Sequence, residues 1–89
     1  MKKHLNITVK GKVQGVYFRE NARLLANELN IKGFARNEPN KDVFIEAEGE
    51  EAPLQEFLKW CGTGSGQAEV KSVTYEEGEW KDHKTFKRI

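Results

Sequence analysis

Two stretches with helical spacing lie among four or five with strand spacing, in the order strand, helix, strand, strand, helix, strand. That order predicts an α+β fold of the ferredoxin-like kind, β-α-β-β-α-β, with two helices on one face of an antiparallel sheet and the other face open to solvent. The chain has 89 residues, enough for one domain spanning 1–89 and too few for two. Hydrophobic residues make up 37%, and five Phe, two Tyr and two Trp argue against disorder.

The first strand is read from Leu5, Ile7 and Val9 alternating with Asn6, Thr8 and Lys10. Gly11, Val13, Gly15 and Val16 break that rhythm. From Phe18 the spacing becomes helical through Ala22, Leu25, Ala26 and Leu29, and Asn30 and Gly33 stand where a helix stops. Phe34 to Asn37 reads as the second strand and Glu38 to Asp42 as a turn, with Pro39 fixing φ and Asn40 suited to the left-handed region. Val43, Ile45 and Ala47 alternate with Phe44, Glu46 and Glu48 in the return strand, which Gly49 ends. Glu50, Glu51 and Pro53 open a second helix whose apolar face is Leu54, Phe57, Leu58 and Cys61. Gly62 to Gly66 reads as a flexible connection. Val70 and Val73–Tyr75 indicate a fourth strand, and 85–89 a short terminal one.

Composition narrows the function classes. Fifteen basic and fourteen acidic residues leave a net charge of +1, without the basic excess of a nucleic-acid binder. An RNA-binding sheet displaying Phe44, Tyr75 and Trp80 therefore ranks low, since the aromatic RNA-recognition motif is missing too. No apolar run approaches the ~20 residues of a membrane span, and the start, Met1 to Ile7, has no secretory h-region. A lone Cys61 can form no internal disulfide, so the cytoplasm is the expected compartment, with a monomer the default state. His4 and His83 are far apart in sequence, and no Cys/His/Asp cluster has metal-ligand spacing.

The informative string is Gly11-Lys12-Val13-Gln14-Gly15-Val16-Tyr17-Phe18-Arg19, between a strand and a helix. A helix start leaves up to four backbone N–H groups without partners, and the helix dipole adds partial positive charge. Together they suit a phosphate or carboxylate. Gly15, lacking a β-carbon, lets the loop curl so that amides close on an anion. Arg19, in the first turn, leans back toward the loop and can hold two oxygens of one phosphate.

This string resembles the signature of the acylphosphatases, and Gly33-Phe34-Ala35-Arg36-Asn37 resembles their downstream motif. The likeness runs through the Val43–Gly49 strand and the second helix, nearly the whole length. The family's fold is the same ferredoxin-like sandwich. The resemblance implies a hydrolase that cleaves the mixed anhydride of an acyl phosphate to a carboxylate and inorganic phosphate, with no metal or other cofactor. Inorganic phosphate, the product, is then an expected inhibitor. By position, Arg19 matches the phosphate-binding arginine, supported by backbone amides of Gln14, Gly15, Val16, Tyr17 and Phe18. Asn37 matches the asparagine that positions the attacking water. A non-catalytic module using the same loop to bind an anion is the alternative. The string Gly64-Ser65-Gly66 follows a helix and is no nucleophile elbow.

Overall fold

A computed structural model describes residues 1–89. Strand β1 (Lys2–Lys12) leads through a loop to helix α1 (Phe18–Glu28). Strands β2 (Lys32–Asn37) and β3 (Val43–Glu50) form the hairpin, α2 (Glu51–Thr63) follows, and β4 (Glu69–Gly78) and β5 (Phe86–Arg88) complete the chain. The sheet order is β4-β1-β3-β2-β5. This is the ferredoxin-like arrangement expected, with one correction. The sheet is mixed, because β5 runs parallel to β2 while the other neighbours are antiparallel. The cause is topological: β4 ends at one edge, and residues 79–85 carry the chain across to the other edge, where it must run in the direction of β2.

The period-2 pattern of β1 does what its chemistry requires. Leu5, Ile7 and Val9 are fully buried and pair with Ala47, Ile45 and Val43 of β3. On these lie Phe18, Ala22 and Ala26 of α1 and Leu54, Phe57 and Cys61 of α2, within one core of 17 buried residues. The small Ala22 and Ala26 let α1 approach the sheet closely, while Phe18, Phe57 and Trp60 fill the volume between the helices. Truncating Phe57 to Ala would cost about 3–5 kcal/mol, the range for a buried aromatic.

Helix α1 stops where Asn30 takes a left-handed φ of 57°, which lets the Ile31 N–H reach back to the Ala26 carbonyl at 2.8 Å. Gly33 lies inside β2 and not at the helix end. In the hairpin turn, Lys41 and not Asn40 occupies the left-handed position, at φ 78°. Asn40 instead accepts the Asp42 N–H on its side-chain oxygen at 3.1 Å, an Asx turn that stabilises the same reversal.

The expectation of one open sheet face holds only in part. Phe34, Arg36, Phe44 and Thr8 lie on that face, with the Arg36 guanidinium carbon 5.5 and 5.2 Å from the centres of the Phe34 and Phe44 rings. Farther down the same face, residues 79–85 form a strap over β3 and bury His4, Glu46 and Glu48. The aromatics Phe44, Tyr75 and Trp80 do not form one platform. Tyr75 pairs with Ile7 and so shares the helix-covered face, and Trp80 belongs to the strap.

No helix is long and apolar enough to cross a membrane.

Candidate active site

One end of the sheet gathers the ends of β1, β2 and β5, the start of α1 and the end of α2. The loop of residues 13–17 closes this end. Its backbone is bent by Gly15 at φ 73° and by Tyr17 at φ 62°, the residue immediately before α1. A β-carbon at Gly15 would meet nothing within 4 Å, so the glycine answers a conformational demand and not a steric one. Tyr17 makes no side-chain cap. The first protein hydrogen bond of the helix start runs from Asn21 N–H to the Tyr17 carbonyl, at 3.0 Å. The backbone N–H groups of Gln14 to Phe18 accordingly have no acceptor in the protein. A row of unmatched donors at a helix N-terminus is a binding site for an anion.

Three anchors hold this loop in shape. Val16 is buried in the core, and its carbonyl accepts the Ser65 hydroxyl hydrogen at 2.7 Å. Phe18 is buried against Trp60, with ring centres 4.9 Å apart. Gln14 donates its amide hydrogens to the Glu38 and Asp42 carbonyls at 2.9 and 3.0 Å. The Gln14 side chain therefore fastens the loop to the hairpin turn that follows Asn37, and only its backbone N–H is left for an anion. Ser65 corrects the reading of Gly62–Gly66 as a flexible connection. Ser65 is buried, and Gly64, at φ 76°, packs closely, since a β-carbon there would lie 3.0–3.1 Å from side-chain atoms of Ala68, Phe18 and Val70. Sequence reasoning had no signal for either anchor, because the partners are main-chain carbonyls distant in sequence.

Arg19 and Asn37 meet at a cavity of about 280 Å³, lined also by Gly15, Tyr17, Phe18 and Arg88. Arg19 lines the cavity and donates to the main-chain oxygen of Ile89, just past β5. It has no Asp or Glu within ion-pairing distance. Each other arginine has one: Arg23 and Arg88 meet Glu20, and Arg36 meets Glu38. Hydrogen bonds from Arg23 hold the Glu20 carboxyl below its ordinary pKa, against the opposing effect of desolvation. The one acidic side chain on the cavity wall is thus already engaged, at 2.6 Å from Arg23 and 3.8 Å from Arg88.

Asn37 pairs with Val43 at the last position of β2, on the face that carries Ala35, and is half-buried. Its side-chain oxygen is fully buried and has no hydrogen-bond partner in the protein. Such orphaned acceptors are rare in folded proteins, and an acceptor kept at a cost to stability is a mark of function. Tyr17 is largely exposed at the rim. Of the residues expected from the sequence, Gly15, Tyr17, Phe18, Arg19 and Asn37 line the cavity; Gln14 and Val16 build the loop around it.

His4 and His83, set aside as remote from each other, lie with ring centres 6.1 Å apart under the strap, at the opposite end of the sheet. Cys61 is wholly buried, and desolvation pushes its thiol pKa up to about 12, so it is no nucleophile.

The chain matches the family model for acylphosphatase over residues 5–88. An acylphosphatase of Archaeoglobus fulgidus is 42% identical over 82 residues, 92% of each chain. One of Coxiella burnetii is 39% identical over 83 residues, 93% of this chain and 87% of the relative. A solved acylphosphatase structure from Coxiella burnetii superposes with a TM-score of 0.96 at 36% identity, covering 99% of this chain and 93% of the other. One from Bacillus subtilis gives 0.95 at 31% identity, covering 100% and 99%. A full-length family match, four-tenths identity and near-complete superposition leave one conclusion: the chain belongs to the acylphosphatase family.

Proposed function

We propose that the protein hydrolyses the carboxyl–phosphate anhydride of small acyl phosphates, without a metal, using Arg19 to hold the phosphoryl group and Asn37 to position water. The observation that carries this reading is the shared cavity. It brings an arginine without an Asp or Glu partner, a row of unmatched backbone donors and the amide of Asn37 to one place.

The chemistry needs little else. A carboxylate is a stable leaving group at neutral pH, so no strong general acid is required. Phosphoryl transfer passes through a loose transition state in which charge spreads over the equatorial oxygens. The N–H groups of Gln14 to Phe18 and the guanidinium of Arg19 are donors fixed in advance for those oxygens. Asn37 positions the attacking water through its carboxamide, which turns from its resting placement to accept a water hydrogen on the oxygen and to donate from the nitrogen to the phosphoryl group. Held this way, the water attacks in line with the departing carboxylate, and its proton passes to a phosphoryl oxygen. A carboxylate at position 37 would repel the substrate; the neutral amide does not. Arg88 adds positive charge at the rim, where the anionic substrate enters.

The test is hydrolysis of benzoyl phosphate by tag-free protein in the presence of a chelator. Turnover lost in Arg19→Ala and Asn37→Ala, with inorganic phosphate inhibiting competitively, is the expected result. Phosphate binding without turnover in the unmodified protein would turn the reading into that of an anion-binding module. Full activity in Asn37→Ala would remove the mechanism.

A further inference from the structure

The strap of residues 79–85 is held to the sheet by an unusually polar buried cluster. Glu48, fully buried on β3, accepts the backbone N–H groups of Lys81 and His83 at 2.6 and 2.7 Å. The same Glu48 carboxylate lies 2.6 Å from Nδ1 of the buried His4. On the other side of that imidazole, Nε2 faces the Asn6 side-chain oxygen at 2.9 Å and Glu46 Oε1 at 3.7 Å. His83 Nε2 approaches the same Glu46 oxygen, at 2.9 Å. Gly78 makes this possible, because a β-carbon there would sit 2.7 Å from the Asn6 amide nitrogen.

With Nδ1–H of His4 donating to Glu48, the lone pair of Nε2 points at two oxygens that carry no hydrogen. His83 adds a second imidazole nitrogen to the same group. Lone pairs so gathered need positive charge among them, supplied either by ring protons or by a cation. Donor atoms of His4, Glu48 and His83 lie within 4.8 Å of one another. Glu48, however, is already taken up by two backbone N–H groups and His4 Nδ1, whereas Glu46 Oε1 stands 3.7 Å from His4 Nε2 and 2.9 Å from His83 Nε2. Lys81 engages only the other oxygen of Glu46, at 3.0 Å, and leaves Oε1 toward the histidines.

We propose that His4, His83 and Glu46 bind a divalent cation of the zinc class, with Glu48 orienting His4 from behind. Two imidazoles and a carboxylate select zinc, copper or nickel over calcium or magnesium, which prefer oxygen alone. A histidine that ligates through one nitrogen and donates from the other to a carboxylate is the usual support of such sites. Tetrahedral bonds of about 2.0–2.2 Å set donors roughly 3.3–3.6 Å apart, so the His83–Glu46 pair at 2.9 Å opens slightly and the His4–Glu46 pair at 3.7 Å closes slightly to admit the ion. The cation staples the crossing from β4 to β5. It lies at the end of the sheet away from Arg19 and Asn37 and takes no part in the hydrolysis proposed above.

The experiment uses tag-free protein stripped with a chelator, dialysed and titrated with Zn²⁺ near neutral pH, read by calorimetry and by thermal melting. Saturable binding of one equivalent that raises the melting temperature is expected. His83→Ala on the strap and Glu46→Gln on β3 should each weaken it by ~10-fold or more, and Glu48→Gln by about 10–100-fold through loss of orientation. Lys81→Met should tighten binding, because it removes a cation competing for Glu46. Co²⁺ in place of Zn²⁺ should give visible absorption bands that His83→Ala abolishes. Absence of saturable Zn²⁺ binding in the unmodified protein, or equal affinity in His83→Ala, overturns the proposal and leaves protons alone holding the clasp.

Discussion

The two ends of the sheet treat polar groups in opposite ways. At the Arg19 end, donors outnumber acceptors: five consecutive backbone N–H groups and a guanidinium find almost no oxygen within the protein. At the His4 end, Glu46, Glu48 and the Asn6 oxygen crowd around two imidazoles and one lysine. A surplus of donors is an invitation to an anion, and a surplus of acceptors to protons or a cation. The net charge of +1 conceals this, because the imbalance lies in where groups are paired and not in how many there are.

The sharpest way to break the contrast is to remove the donor surplus. Arg19→Ala should lower the rate of acyl phosphate hydrolysis on the order of 10³-fold or more, the range for arginines that stabilise a phosphoryl transition state. Arg19→Lys should recover little, since a point charge cannot hold two oxygens at once. The fold should survive either change, as Arg19 contributes one bond to β5 and nothing to the core. Steady-state kinetics with thermal melting of each variant checks both statements. Arg19→Ala with near-normal kcat/KM would refute the role given to the loop.

Asn37→Ala comes next. Loss of water positioning should cost about 10²–10³-fold in kcat, comparable to removing one fixed donor at an oxyanion site. Its stability should be unchanged or slightly higher, because the substitution removes a buried oxygen that lacks a partner. Activity and stability moving in opposite directions is the signature of a group retained for function. A large loss of stability would instead mark Asn37 as structural.

These two residues differ in how far the sequence exposed them. Arg19 and Gly15 were legible from local pattern alone, since a strand–loop–helix junction produces unmatched amides wherever it occurs. Asn37 was legible only through the resemblance, because nothing local distinguishes it from a polar residue near a turn. The antiparallel core followed from alternation in β1 and β3, whose faces are set by the pleat. What the pattern could not show was long-range: the parallel return of β5, the Gln14 bond to the hairpin, the Ser65 bond to Val16 and the strap over Glu48. Each joins residues far apart in sequence through main-chain atoms, which carry no side-chain signature. Even Asn40 and Lys41 exchanged expected places, since an Asx turn served as well as a left-handed asparagine.

Phosphate offers a comparison of the two ends within one protein. Binding to the donor-rich end should stabilise the fold by about 2.7 kcal/mol at a phosphate concentration 100 times its dissociation constant. Arg19→Ala should abolish that gain, whereas Glu46→Gln should leave it intact. Melting curves with and without phosphate settle the point, and equal stabilisation of all three proteins would mean that the anion binds elsewhere. Gly15→Ala should act more mildly. At φ 73° a β-carbon costs about 1–2 kcal/mol of backbone strain, with no clash to add to it. The expected result is weaker phosphate binding at nearly unchanged stability if the loop relaxes, as its exposed position permits.

Acid denaturation reads the other end. Burial by itself would raise the Glu46 and Glu48 pKa values. Hydrogen bonds outweigh it, from His83 and Lys81 to Glu46, and from the Lys81 backbone, His4 and the His83 backbone to Glu48. Both carboxyls are therefore held below their ordinary value of 4.5. A group whose pKa is lower in the folded state contributes its full stability above the unfolded value and loses it as pH falls through the folded one. Metal-free protein should thus lose stability below about pH 4.5. Glu46→Gln and Glu48→Gln should start from lower stability at neutral pH and show a shallower acid limb. Asn37→Ala and Arg19→Ala should retain the steep limb, because neither touches a carboxylate of the strap. Urea unfolding at a series of pH values provides the measurement. An acid limb of the same slope in Glu48→Gln would mean that the strap is held by packing and backbone bonds, and that the acceptor-rich end owes nothing to its charge.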